Sequence, residues 1–163
     1  MSIERVRAYL KQWNLEERIL EFDTSSATVE LAAMAVGCEP ARIAKTLSFQ
    51  AGERTVLVVA AGNAKIDNRK YKEQFHAKAS MLKAEDVTEK IGHAVGGVCP
   101  FGVNPGVEVY LDVSMKRFKT VYPAAGSSNS AIEMTLEELE KYAESLGWID
   151  VCKGWQSEEA LQQ

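Results

Sequence analysis

AKTLSFQ at 44–50 and TVLVVAA at 55–61, joined by AGER, decide the fold. The first segment alternates polar and apolar residues with the period of two of a half-buried strand. The second is an unbroken apolar run rich in β-branched residues, which reads as a strand buried on both faces. Together they predict a hairpin with AGER as its turn. Upstream, ILEFD (19–23) has the alternation of a short strand, and TSSATVELAAMAVG reads as a helix opened by a Ser or Thr cap and closed by Gly37. Pro40 suits the first turn of a brief helix leading into the hairpin, and MSIERVRAYLKQW at the start reads as an amphipathic helix.

Downstream, NAKIDNRKYKEQFHAK reads as a loop and a helix, and KAEDVTEKIG as a shorter helix. VEVYLDV (107–113) is a strand with Val107, Val109, Leu111 and Val113 on one face. TVYPAA and SAIEMT form a hairpin about GSSN. Thr135 and Glu138 have the spacing of a capping box for LEELEKYAESL, which Gly147 is expected to end, and the polar tail beyond WIDVCK is expected to fray. Helices and strands mix without strict β-α-β alternation or repeats. The expected class is therefore α+β: a single domain over 1–163, its core at about 20–150, with a mixed, curved or barrel-like sheet surrounded by helices.

Composition narrows the function. No apolar run approaches the ~18 residues of a membrane span, and the first helix is too charged for a signal peptide, so a cytoplasmic protein without a membrane partner is expected. Cys38, Cys99 and Cys152 are odd in number and far apart, and His76 and His93 stand alone; neither pattern suggests a metal site, and no cofactor is implied. The net charge of −4 is unevenly placed: residues 1–120 carry 17 Lys/Arg against 15 Asp/Glu, residues 121–163 only 2 against 8. Six bases between Lys65 and Lys83 leave room for a local basic face.

Lys45 is the prime candidate for chemistry. Strand alternation gives it the same face as Leu47 and Phe49, and an ammonium in apolar company lowers its pKa or binds an anion. The same alternation sends Thr46 away, so Thr46 meets a ligand only if a twist or bulge turns it inward. GGVCPFG (96–102) has the glycines that let backbone amides approach a ligand, without the spacing of a nucleotide-binding fingerprint. Cys99 inside it, six residues after His93, raises a thiol nucleophile with an imidazole base. GSSNS (126–130) offers hydroxyls, of which Ser128 and Ser130 are candidate substrate contacts.

AKTLSF, GGVCPFG and VYPAAGSSNSAIEMT, in this order and at these distances, resemble the YbaK/EbsC family, which includes the editing domain of prolyl-tRNA synthetase. The likeness runs from about residue 20 to residue 150. It implies a free-standing aminoacyl-tRNA deacylase that hydrolyses the ester of a mischarged tRNA, with tRNA(Pro) carrying alanine, cysteine or serine as the candidate substrate. It also implies Lys45 as the essential site residue, and Gly96, Gly97 and Gly102 as the loop that holds the terminal ribose and ester. The acceptor end of a charged tRNA is the implied partner, and a prolyl-tRNA synthetase is a candidate partner. In members resembling the Cys-tRNA(Pro) deacylase, the segment matching 122–134 carries a serine and an aspartate, where this chain has Ala124 and Ala131. Two other readings stand beside this one: a non-catalytic module that binds a nucleotide or acyl-adenylate-like ligand in the same pocket, and a hydrolase dependent on Cys99.

Overall fold

The computed structural model describes residues 2–156. Its centre is the expected hairpin: β2 (Ile43–Ala51) and β3 (Arg54–Ala61), following β1 (Leu20–Glu21), are antiparallel with Ala51 opposite Arg54. The turn is thus two residues, and Gly52, at φ 63°, takes the first position, where a type II′ turn requires a glycine. Residues Val56 to Ala61 are completely buried, as the unbroken apolar run predicts.

Strand β4 (Lys65–Ile66) follows, then β5 (Glu108–Asp112), β6 (Thr120–Pro123), β7 (Ser130–Ala131), β8 (Met134–Thr135), β9 (Trp148–Ile149) and β10 (Cys152–Lys153). The main sheet has six strands in the order β8-β6-β2-β3-β5-β9. It is mixed and curled into a half-barrel: β2 runs parallel to β6, β3 to β5 and β5 to β9, while β6 and β8 are antiparallel. Two small sheets pair β1 with β7 and β10 with β4.

The helices are α1 (Ser2–Lys11), α2 (Val29–Val36), α3 (Asn68–Phe75), α4 (Ala84–Ile91) and α5 (Leu136–Tyr142). Local chemistry sets their ends. Thr28 Oγ1 accepts from Leu31 N at 3.1 Å to open α2, Gly37 closes it in the left-handed region, and Asp67 caps α3 through the amides of Arg69 and Lys70. The Thr135–Glu138 capping box is present at α5. Val6 and Leu10 of α1 are fully buried in the core. Tyr71 and Phe75 of α3 cover one face of the sheet, Tyr71 lying 5.0 Å from the ring of Phe49.

Four expectations are corrected. Helix α5 ends at Tyr142, five residues before Gly147, because the chain turns back to the sheet: Leu146 N donates to Val109 O and Leu111 N to Gly147 O. The 107–113 strand stops at Asp112, whose Oδ2 accepts from Ser114 N and starts a 3-10 helix over Val113–Arg117. The 65–66 segment, expected as loop, is the partner of β10; of the tail expected to fray at 154–163, residues 157–163 lie outside the described residues. The 120–135 hairpin is split: β6 pairs with β8, and β7 crosses to β1. That split matters for the site, because β6 leaves β2 after only two paired residues, Ile43 with Tyr122 and Ala44 with Pro123.

Candidate functional site

Where β6 leaves β2, a cavity of about 410 Å³ opens along the edge of β2. Six consecutive residues of that strand, Ile43 to Ser48, line it. Thr28, which caps α2, and Val29 and Ala32 of α2 form one wall, Leu82, Ala84 and Val87 another, and Gly96 and Val98 of the glycine loop a third, while Tyr122, Ala124, Ser130 and Ala131 close the remaining side. The volume lies within the range of small-molecule sites, and the lining is mainly apolar with few polar groups, the usual composition of such sites. Arg42 holds Tyr122 in place. Its guanidinium sits 5.2 Å from the Tyr122 ring centroid and donates to Thr120 O at 3.2 Å and to Thr120 Oγ1.

Lys45 lines this cleft and is half-buried. Its ammonium donates to Gly62 O at 3.3 Å and to Ala64 O, which uses two of its three donors. Burial is the main cause that pushes its pKa below the ordinary lysine value. Thr46 lines the cleft as well. The alternation argument for excluding it assumed a site on one face of the sheet, and the cleft instead lies at the strand's edge, where residues of both faces meet it. Thr46 Oγ1 is buried and has no hydrogen-bond partner.

The glycines divide. Gly96 lies along the cleft. Gly97 is buried against the turn at 126–127: a Cβ there would meet Gly126 O at 2.7 Å and Gly126 C at 2.8 Å, so the two motif loops touch backbone to backbone. Its amide donates to Ala94 O at 2.9 Å. Gly102 faces away from the cleft, in a separate hollow with Arg5, Tyr9 and Glu144. Ser130 is in the cleft and buried, within 2.7 Å of Ser127 Oγ. Ser128 is exposed at the tip of the turn, and its carbonyl accepts from Ser26 N at 2.6 Å, which ties the turn to the segment before α2. Thus Lys45, Thr46, Gly96 and Ser130 come together, Gly97 and Ser128 support them from behind, and Gly102 does not join them.

Because a side chain at 97 collides with backbone, Gly97→Ala is expected to push the two loops apart. The expected result is a loss of ~1–3 kcal/mol from overpacking, read as a lower denaturation midpoint, together with weaker ligand binding in the cleft.

The Cys99 alternative meets unfavourable geometry. Its side chain is fully buried and does not line the cleft, and burial pushes its thiol up to about 12. His93 Nε2, 3.7 Å from the sulfur, lies 2.7 Å from Phe101 O. A carbonyl only accepts, so Nε2 carries the proton and is not a base for the thiol. The pair therefore braces the glycine loop. His93 is buried, mainly for that reason its pKa lies below 6.5, and its Nδ1 has no partner. Below about pH 6.5 the unfolded chain takes up a proton that the folded protein does not. Stability is thus expected to fall as pH drops from there to the lowered folded value, and to level off beneath it. Urea midpoints at about pH 8 and about pH 5 measure the loss, and His93→Gln should reduce it.

The comparisons with known proteins bear on this cleft directly. Residues 23–142 match the aminoacyl-tRNA editing domain. The chain belongs to this editing-domain family. The match spans the Lys45 strand, the glycine loop and the serine turn, so all walls of the cleft fall inside the editing domain. The domain is also 55% identical over 157 residues to the uncharacterized protein YwhH of Bacillus subtilis, covering 96% of this chain and 100% of that one. It is 30% identical over 102 residues to the proline–tRNA ligase of Bacillus velezensis, covering 61% of this chain and only 18% of the ligase. Its fold matches a crystal structure described as that of a proposed trans-editing enzyme for prolyl tRNA synthetase, with a TM-score of 0.85, 28% identity, and coverage of 94% and 98% of the two chains. These likenesses support a deacylase role for the editing domain.

Sequence reasoning missed the wall made by α2 and by residues 82–87. One signal was legible: VELAAMAV carries more apolar residues than one helix face needs, and Leu31 and Met34 are left exposed. Among the described residues, no group of three or more His, Cys, Asp or Glu side chains converges to hold a metal, and no helix is long and apolar enough to cross a membrane.

Proposed function

We propose that the protein is a free-standing aminoacyl-tRNA deacylase that hydrolyses the ester of tRNA(Pro) carrying a small wrong amino acid. The observation that carries this reading is the half-buried Lys45 in the wall of a mainly apolar cleft, inside a chain of the editing-domain family. The third Lys45 donor holds the ribose or terminal phosphate of the acceptor end. Binding fixes the ester against β2, so that positioning supplies most of the acceleration. Water adds to the ester carbonyl, and the neighbouring ribose hydroxyl carries the proton to the departing ribose oxygen. The buried, neutral Cys99 thiol has no part in this.

Selectivity is by exclusion. Ala32, Ala44, Ala124 and Ala131 line the cleft with methyl groups, which suits a small apolar side chain and offers no carboxylate for a thiol or hydroxyl. Because one methylene is worth only ~1–3 kcal/mol of selective binding, alanine is expected to be hydrolysed fastest and serine or cysteine more slowly, while the larger proline is excluded by its ring. The synthetase that charges tRNA(Pro) is the proposed partner for presenting the substrate.

The test is deacylation of tRNA(Pro) charged separately with alanine, cysteine, serine and proline. Hydrolysis of the alanyl ester with the prolyl ester spared supports the reading. An unhydrolysed panel overturns it in favour of a binding module that uses the same cleft.

A further inference from the structure

The backbone of β2 has a direction that its side chains conceal. In a strand, the N–H and C=O of one residue point to the same side, and those of its neighbours to the other. Ser48 O accepts from Leu82 N at 3.1 Å, and Gln50 N donates to Ser80 O at 2.9 Å. The even-numbered residues of β2 therefore turn their backbone groups toward the outer edge, and Lys45, Leu47 and Phe49 turn theirs toward β3. At the other end of the gap, Ala44 is registered with Pro123 of β6. Between these two anchored points lies Thr46. Among the described residues no segment is registered against it on the outer side, and that side is the cleft, with Ala124 at one end and Leu82 at the other.

The cleft is thus a one-residue vacancy in a sheet edge, and such an edge is a template for a matching main chain. The geometry points to the Thr46 main chain as the anchor of the aminoacyl group. This rests on the deacylase reading. An aminoacyl ester carries the two groups that one strand residue would offer here: an α-ammonium that donates to Thr46 C=O, and an ester carbonyl that accepts from Thr46 N–H. The two bonds are those of a hydrogen-bonded pair in an antiparallel ladder.

The N–H also has a catalytic consequence. When the oxygen of water bonds to the ester carbon, the carbonyl electron pair moves onto the oxygen that Thr46 N–H holds. On collapse the C=O re-forms and the bond to the ribose oxygen breaks. One proton of the water passes to that oxygen, leaving the free amino acid and a ribose hydroxyl. A fixed donor at the developing oxyanion is among the larger catalytic effects available to a protein. The role belongs to the backbone of Thr46, so it requires no particular side chain at this position.

The test replaces residue 46 with the α-hydroxy acid counterpart of threonine, which exchanges a single backbone N–H for oxygen, and uses the same exchange at Gln50 as control. Both exchanges weaken the preceding carbonyl, but only the Gln50 exchange removes a bond to another part of the protein. The Thr46 exchange is expected to lower kcat about 10²-fold or more with the smaller loss of Tm, and the Gln50 exchange to lower Tm more and leave kcat near that of the wild type. A wild-type kcat for the Thr46 exchange overturns the inference and leaves the deacylase reading intact, whereas a wild type inactive on every charged tRNA removes both. Should the exchanged chain fail to fold, the amide resonance of Thr46 in the wild type is followed while an alanylamido analogue of the terminal adenosine is added. A large shift on saturation supports the inference; an unmoved resonance at saturation overturns it.

Discussion

Lys45→Ala is expected to lower kcat/KM for alanyl-tRNA(Pro) by about 10²-fold or more, the scale on which misplacing a bound substrate acts. Lys45 is held by the carbonyls of Gly62 and Ala64, so its position does not depend on the substrate. A preset donor of this kind costs little to order on binding. Stability should change far less than activity. Removing the ammonium relieves the cost of burying a charge, and the carbonyls left behind are at the end of β3, where the chain turns. Lys45→Arg should not restore the rate, because a planar fork cannot take the place of a compact ammonium between two carbonyls. The wild type adds a pH signature. Burial lowers the Lys45 pKa, so the ammonium is lost as pH rises through a value below the 10.5 of an ordinary lysine, and the enzymatic rate, corrected for uncatalysed hydrolysis, should fall there. A Lys45→Ala enzyme with the wild-type kcat/KM would refute the role.

Gly62→Ala should produce the largest loss of stability. A Cβ at this position would lie 2.0 Å from Pro40 O and 2.8 Å from Val29 Cγ1. The first of these is backbone, so no rotamer change relieves it. The chain at 40–42 and the start of α2 must move, and both are held to the sheet: Gly62 N donates to Ala41 O, and Arg42 is bound to Thr120. Overpacking that displaces backbone lies at or beyond the upper end of the ~1–3 kcal/mol range, which for a chain of this size corresponds to roughly 6–12 °C in Tm. Calorimetry measures it directly. Activity should fall as well, since Gly62 O is one of the two carbonyls that hold Lys45 and Val29 lines the cleft. An unchanged Tm would mean that α2 yields freely, and the cleft wall would then be far less rigid than described.

Much of this protein was determined by local sequence alone. The hairpin follows from the period of two in AKTLSFQ and the unbroken apolar run in TVLVVAA, and Thr28, Gly37 and the Thr135–Glu138 box set helix ends through bonds to residues three or four positions away. Lys45 was legible for a similar reason, since a charge within an apolar strand is a local anomaly whatever surrounds it. The tertiary structure decided what depends on distant partners. Helix α5 ends before its glycine because Leu146 and Gly147 bond to β5, and the 65–66 segment becomes a strand because β10, almost ninety residues further on, lies beside it. The separation of Gly102 from Gly96 is of the same kind, because which side of a loop faces a cleft depends on where α1 packs against it. Thr46 shows the difference most clearly. Alternation assigns its side chain to a face of the sheet, but the opening of its backbone to the cleft depends on β6 leaving β2 after Ala44 and on residues 80–82 joining beyond it. Side-chain direction is a property of one strand and can be read from its sequence, whereas a gap in a sheet edge is a property of three segments and exists only once they have packed.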